Sequence, residues 1–320
     1  MFSVIVVSPK KYTYGATINP SKQVVIAGGS GFLGQNLRRY FEAQGREVRV
    51  LTRSPSRESD IQWDARSIGQ WASALNEADV LINLTGRSVD CRYNAKNKAE
   101  ILASRLDSTR VLHEAVVACD VPPRIWLNSS TSTIYNDTRG EEPANQETTD
   151  NIGDDFSMGV AKQWEEEFFR HDLPGTIQTA LRIAIVMGSD GGAFPVMSKL
   201  ARYGLCSPQG AGDQWISWIH IEDFCRAVSF LMDSPLPGVV NICSPNPIQN
   251  RNFNGLLKQK LKPLIVLPQP GWLLKIGAVF LRTQTELILK SRKVSPSRLV
   301  AEGFNFSFAD ADSMISDLLD

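Results

Sequence analysis

Residues 23–34 read Gln23-Val24-Val25-Ile26-Ala27-Gly28-Gly29-Ser30-Gly31-Phe32-Leu33-Gly34. An unbroken apolar run after Gln23 predicts a fully buried strand. Phe32 to Gln44 follows, with Leu33, Leu37, Tyr40 and Phe41 on one face. That spacing predicts an amphipathic helix, and Gly45 ends it. Glu47 to Thr52 then reads as a second strand. Strand, glycine loop, helix and strand together span about thirty residues, the length a parallel crossover needs. Each glycine at Gly28, Gly31 and Gly34 has its own physical reason. Gly28 permits the tight turn out of the strand. Gly31 lets backbone and helix N-terminus approach a pyrophosphate, and Gly34 lets the helix pack closely on the strand. Gly28, Gly31, Phe32, Leu33 and Gly34 are therefore candidate ligand contacts. A glycine turn without a ligand is the bland alternative, and the flanking strand and helix argue against it.

Outward from this unit the alternation continues. Ile61-Gln62-Trp63, Asp79 to Leu84, Arg124 to Ser130 and Thr176 to Met187 read as strands. Helical stretches run from about Ala95 to Ala118 and from about Phe156 to Arg170, with an exposed acidic loop over 136–154. Strands alternating with helices imply an α/β fold, a Rossmann doubly wound parallel sheet with a smaller C-terminal substrate lobe. The expected division is 1–22 as an N-terminal extension and 23–187 as the dinucleotide-binding domain, with 216–245 returning to it. Residues 188–215 and 246–320, richer in Gly, Pro and aromatics, would form the lobe. In it Phe194, Met197, Trp215, Trp218 and Trp272 suggest an apolar wall, though each is more often core than pocket.

Bulk properties narrow the function. The chain has 320 residues, 42% hydrophobic and 21% charged, with a formal net charge of zero. That balance carries no footprint for nucleic acid or an anionic membrane surface. The apolar start Val4-Ile5-Val6-Val7 is short and has no basic residue before it, so no secretory signal is expected. Gly271 to Leu281 is broken by Lys275 and too short to span a bilayer, so a packed helix is expected. The five cysteines form no CxxC pair and the three histidines no metal pattern. Reduced thiols in a cytoplasmic protein, without a metal, are the expectation. The substrate is an unassigned small molecule, and a homodimer is compatible with the chain.

Thr52-Arg53 ends the second strand, where an acid would hold a ribose 2′-hydroxyl and an arginine a 2′-phosphate. Arg53 therefore points to NADP(H), with a solvated loop arginine as the alternative. At this point the pattern resembles the extended short-chain dehydrogenase/reductase superfamily, and within it the atypical branch called the epimerase family. Asn83-Leu84-Thr85-Gly86, Arg92-Tyr93 in place of an Arg-Trp pair, Ser104-Arg105, Trp164-Glu165 and Trp218-Ile219-His220-Ile221 carry the likeness. So does the tail Lys293 to Leu299 with Gly303-Phe304. The resemblance implies dinucleotide contacts at Thr52, Arg53, Leu84, Thr85, Gly86, Glu100, Arg105 and Val186, with Asp64 near the adenine. Core packing is the alternative for Leu84 and Val186, a surface pair for Glu100 and Arg105, and a loop carboxylate for Asp64.

The superfamily's chemistry uses a Ser/Thr and a Tyr-x-x-x-Lys pair. Thr131 stands where the orienting hydroxyl is expected, and Met158-Gly159-Val160-Ala161-Lys162 resembles the pair with methionine in place of tyrosine. A thioether has no ionisable proton, so the ordinary proton transfer is lost. Lys162 is still expected to hold the nicotinamide ribose. Tyr135, His220 and Asp223 are candidate replacements for the missing acid, with His220 foremost because of its ordinary pKa. A hydrogen-bonded structural histidine is its alternative. The resemblance thus implies an NADP(H)-dependent oxidoreductase or epimerase with altered acid/base chemistry. The other reading is a non-catalytic NADP(H)-binding regulatory or scaffold protein.

Overall fold

Val24–Ala27 forms β1, and none of its side chains reaches solvent. A strand buried on both faces needs a neighbour on each edge and a helix over each face. Val48–Thr52 (β2) and Val80–Asn83 (β4) supply the edges, both parallel to β1. Asp60–Gln62 (β3), Ile125–Thr131 (β5), Ile177–Ile183 (β6) and Gly238–Ile242 (β10) complete a seven-stranded sheet. Its order is β10-β6-β5-β4-β1-β2-β3, parallel throughout. The computed structural model describes residues 23–267 and 290–320. The expected extension 1–22, the apolar stretch 271–281 and Trp272 lie outside the described residues.

Helices cover both faces. Phe32–Ala43 (α1) buries Gly34, Leu37, Arg38 and Phe41, and packs with Ile221–Asp233 (α5) on one side. Ala95–Val117 (α2) and Phe156–Phe168 (α3) close the other side over Trp63, Trp71 and Trp126. Arg38 enters the core because its guanidinium is spent on Asp60 at 2.6 Å and Glu42 at 2.8 Å.

The expected sixth strand, Thr176 to Met187, divides at Ala184. Ala184 N–H still donates to Ile242, but Ile185 N–H donates to Ser217 at 3.2 Å. Ile185–Met187 (β7) thus leaves the sheet and pairs in parallel with Trp218–His220 (β9). Of residues 216–245, Gly238–Ile242 joins the main sheet as its edge strand. Trp215–Ile216 (β8) instead pairs with Ile248–Gln249 (β11).

Phe194–Arg202 (α4), Asn250–Leu261 (α6) and Ala311–Leu319 (α8) share a second apolar cluster. Phe194 and Trp218 are buried in it and Met197 packs against it, so they build this cluster's interior. The tail does not stay there. Ser297–Ala301 (α7) sends Leu299, with Phe304 after it, into the main core beside Leu236 and Val240. All five cysteines are free, and no helix among the described residues is long and apolar enough to cross a membrane. Among the described residues no cluster of metal-binding side chains occurs.

Candidate functional site

The sheet order reverses between β1 and β4, and in such sheets a crevice opens at the strand ends there. A cavity of about 600 Å³ lies at that place, lined by the glycine loop, the end of β4, the end of β5 and one face of α3. The loop's geometry explains its composition. Gly28 has φ +74°, in the left-handed region, and a Cβ there would sit 2.9 Å from the Thr85 backbone. A Cβ on Gly34 would lie 2.4 Å from the Gly29 Cα, so helix and loop backbones touch. A Cβ on Gly31 would meet nothing within 4 Å, because that position faces the open cleft. Gly31 also caps α1 without any side-chain hydrogen bond. The first-turn N–H groups are left for an anion, which the helix dipole favours.

The facing wall is the end of β4. Asn83 is buried and accepts the Thr85 N–H at 3.0 Å, while its own amide donates to Asn128 at 2.7 Å. This holds Leu84, Thr85 and Gly86 toward the cavity. The Thr85 Oγ1 is buried and has no hydrogen-bond partner among the described residues. Behind it Arg105 on α2 donates to the Ile101 and Arg87 carbonyls, at 2.9 and 3.2 Å, and lies 5.1 Å over the Trp164 ring. It has no carboxylate partner among the described residues, and burial lowers its pKa to about 10. It remains a cation at neutral pH. Arg87 pairs with Glu100. Among the described residues these two arginines are the charged groups lining the cavity, and no carboxylate does.

The floor is the end of β5. Ser130 donates to Glu165, which also holds Arg182 through two hydrogen bonds of 2.9 and 2.7 Å. Arg182 is raised above its ordinary pKa: burial opposes this, and the hydrogen bonds and charge of Glu165 outweigh it. Thr131 Oγ1 accepts the Thr133 N–H at 3.1 Å and contacts its hydroxyl at 3.0 Å, capping the short turn Ser132–Ile134.

Several residues singled out in the sequence meet here: Gly28, Gly31, Phe32, Leu33, Gly34, Leu84, Thr85, Gly86, Arg105, Thr131 and Val186 all line the cavity. Others do not. Glu100 pairs with Arg87 just outside it. Thr52 is buried at the end of β2, and Arg53 beyond it is exposed with no hydrogen bond or ion pair among the described residues. Asp64 caps its own loop; the Ser67 hydroxyl and the Ser67 and Arg66 N–H groups pull its pKa down to about 2. The loop after Arg53 is fixed by Asp60, which accepts from the Ser56 and Arg57 N–H groups.

Of the expected catalytic residues, Thr131 lines the cavity, and Lys162 and His220 do not. Lys162 is 40% exposed, and its ammonium lies 3.1 Å from Asp154 instead of lining the cavity. His220 is 3% exposed and caps α5 by accepting the Glu222 N–H. Its Nε2 meets Asp317 at 3.1 Å and its ring stacks on Phe308, so both nitrogens are engaged away from the cleft. Tyr135 is buried between Asn241 and Arg182, at 2.9 Å from each. Asp223 accepts from Arg226, Ser307 and Phe308. Met158 places its sulfur beside Gly153 and is not among the residues lining the cavity. The cleft face of α3 is Ser157, Val160, Ala161 and Trp164, a helical stripe that the sequence could have revealed by counting back from Trp164. Sequence reasoning passed over Ser157, Arg87 and Tyr93, which also line the cavity.

Comparison with known proteins follows the same residues. The model of the NAD dependent epimerase/dehydratase family matches residues 24–243, and a domain of unknown function, DUF1731, matches 269–318. The human epimerase family protein SDR39U1 is 30% identical over 305 residues, covering 93% of this chain and 99% of that protein. The epimerase family protein YfhF of Bacillus subtilis is 28% identical, covering 92% of this chain and 97% of that protein. The crystal structure of human SDR39U1 (isoform 2) with NADPH superposes with a TM-score of 0.83 at 28% identity, covering 92% of this chain and 98% of that one. A nucleoside-diphosphate sugar epimerase from Corynebacterium glutamicum gives 0.75 at 26% identity, covering 93% of this chain and 58% of that one.

Proposed function

The chain belongs to the NAD dependent epimerase/dehydratase family, and on that premise we propose that its cleft binds NADP(H) and turns over a small carbonyl or sugar-like substrate. The observation that carries the cofactor is the open position at Gly31, on an uncapped helix N-terminus facing the cavity. A pyrophosphate fits there, with first-turn N–H groups as donors. Thr85 Oγ1, buried and unpaired, and the Arg105 cation are the further groups that would hold the dinucleotide. The related SDR39U1 was crystallised with NADPH. NADP(H) is favoured over NAD(H) because Arg53 is uncommitted beyond β2, while the Asp60 carboxylate nearby is consumed by Arg38.

When bound, the dinucleotide supplies or takes a hydride. The chain's own residues orient it between the glycine loop and Thr85, and the apolar lining of Val160, Ala161 and Trp164 limits water. Calorimetry tests the cofactor: NADPH should bind at least about tenfold tighter than NADH, a difference of ~1.4 kcal/mol. Equal affinity sinks the NADP(H) reading. Oxidation of NADPH against a panel of aldehydes, ketones and nucleotide sugars tests turnover. A second reading, a non-catalytic NADP(H)-responsive protein, draws on Lys162 and Met158 facing away from the cleft. Tight NADPH binding with no turnover across the panel would select it.

A further inference from the structure

Phe32 is the first residue of α1, and Gln35 N–H is the first in that helix to reach a carbonyl, Gly31 at 2.9 Å. The Phe32 N–H therefore belongs to the open first turn that faces the cavity. Its side chain is held by the loop between β7 and α4. A Cβ on Gly188 would lie 2.7 Å from the ring's Cζ, one on Gly191 2.4 Å from its Cδ2, and one on Gly192 3.0 Å from its Cε1. The space that a side chain would need at three positions of one loop is filled by a single phenyl ring. Gly192 also bridges back to Met187, which draws the two ends of the loop together. Asp190, between them, pairs with Arg39, and Arg39 donates to Asn36 at 2.8 Å. Phe32, Asn36 and Arg39 are spaced by four and three residues, so the loop lies along one stripe of α1. Both ends of the loop reach the site. Val186 before it and Gly192 and Ala193 after it line the cavity. Phe194 comes next, opens α4 and is buried in the second apolar cluster.

We propose that Phe32 is a positioning residue that couples the bound dinucleotide to the loop 188–192 and to α4. The coupling rests on the cleft binding the dinucleotide. A ligand shifts a distant element only through contacts whose free energy differs between the two states. The Phe32 residue supplies such a contact, because its backbone and its ring serve different partners. A pyrophosphate accepting from the first-turn N–H groups fixes the Phe32 backbone, and with it the direction of the Cα–Cβ bond and the ring. The ring in turn fixes Gly188, Gly191 and Gly192, and through them the entry into α4. Seating the dinucleotide thus sets the wall at Gly192 and Ala193 that a substrate meets. The glycines of this loop serve the ring of α1, as those of the phosphate loop serve the pyrophosphate.

The deciding experiment needs no substrate. Amide hydrogen exchange is followed by mass spectrometry on the full-length protein, with and without saturating NADPH. In the parent, NADPH should slow exchange at least about tenfold at 28–37 and also at 188–202. In Phe32→Ala, at NADPH concentrations that saturate it, protection should persist at 28–37 and fall below about twofold at 188–202. Protection confined to 28–37 in the parent overturns the coupling, and so does parental protection of 188–202 in Phe32→Ala. Gly191→Ala approaches the same contact from the loop and leaves α1 intact. Its backbone is not left-handed, and the three atoms nearest the new Cβ all belong to Phe32. In calorimetry it should weaken NADPH about tenfold in the parent and less than about twofold in the Phe32→Ala background, because touching residues are not additive. Equal losses in the two backgrounds also overturn the coupling. Absence of NADPH binding by the parent sinks the cofactor reading and the coupling together; binding without protection at 188–202 sinks the coupling alone.

Discussion

A methyl group added at Gly34 and the same group added at Gly31 should have opposite consequences. At Gly34 the new Cβ would lie 2.4 to 2.6 Å from the Cα, carbonyl carbon and oxygen of Gly29. Non-bonded carbons prefer about 3.5–4.0 Å. All three neighbours are backbone atoms, which cannot rotate away, so α1 must retreat from the loop by roughly 1 Å. Overpacking of this kind costs about 1–3 kcal/mol, here toward the upper end. Alanine regains up to ~1 kcal/mol of helix propensity over glycine. The net for Gly34→Ala is thus a loss of about 1–2 kcal/mol. The retreat also pulls the helix N-terminus off the phosphates, so NADPH affinity should fall at least about tenfold. At Gly31 nothing lies within 4 Å, so Gly31→Ala changes stability only by the small loss of a glycine cap, under about 1 kcal/mol. Its methyl instead projects into the space assigned to the pyrophosphate and should weaken NADPH by a similar factor. Urea denaturation of the cofactor-free proteins and NADPH calorimetry read the two quantities separately. A Gly34→Ala protein as stable as its parent, or a Gly31→Ala protein that binds NADPH normally, refutes the cradle as described.

Arg53→Ala should weaken NADPH by about 10–100-fold, the ~1.5–3 kcal/mol of a charged hydrogen bond, and leave NADH unchanged in calorimetry. No loss would mean that the guanidinium is simply solvated. Glu165→Ala leaves the Arg182 guanidinium buried without its carboxylate and should cost about 3–5 kcal/mol in urea denaturation. A loss below about 1 kcal/mol would show that Tyr135 and water hold Arg182 well enough. Burial pushes the His220 pKa down, with Asp317 opposing it in part. The folded value then lies under the unfolded one of about 6.5. Stability is therefore present above about pH 6.5 and falls as the pH drops toward the folded value. His220→Asn, which keeps an acceptor for the Glu222 N–H, should show a smaller drop in urea midpoint between about pH 7.5 and 5.5. Part of the slope should remain, because burial also lowers the His113 pKa. Equal slopes in parent and variant would assign no part of the pH dependence to His220.

The sheet was legible because its signal is local. Val24–Ala27 is an unbroken apolar run, and a strand buried on both faces can carry little else. The glycines were legible for the same reason: a positive φ at Gly28 and backbone contact at Gly34 are demands on single residues. The break at Ala184 was not. Ile177–Ile183 and Ile185–Met187 have the same composition, and what parts them is Ser217, which captures the Ile185 N–H from thirty-two positions away. The aromatic residues Phe194 and Trp218 were equally ambiguous, since a wall and a core use the same side chains.

The cleft's chemistry was hidden by rotation about α3. A helix turns about 100° per residue, so a residue one position from the cleft stripe points to another surface. Ala161 lines the cavity, and Lys162 beside it reaches Asp154 in solvent. Ser157 lines it, and Met158 beside it packs under Gly153. Met158 and Lys162 thus both lie off the cleft stripe to which Trp164 belongs. Once the phase is set by Trp164, the loss of a tyrosine at 158 no longer decides whether the cleft can move a proton. The question passes to the groups that do face it. Thr131 is spent on Thr133 and Ser130 on Glu165, while Ser157 and Thr85 keep buried hydroxyls with no hydrogen-bond partner among the described residues. A motif defined by spacing along one helix says nothing of the groups that other elements bring to the cleft, such as Thr85 after β4.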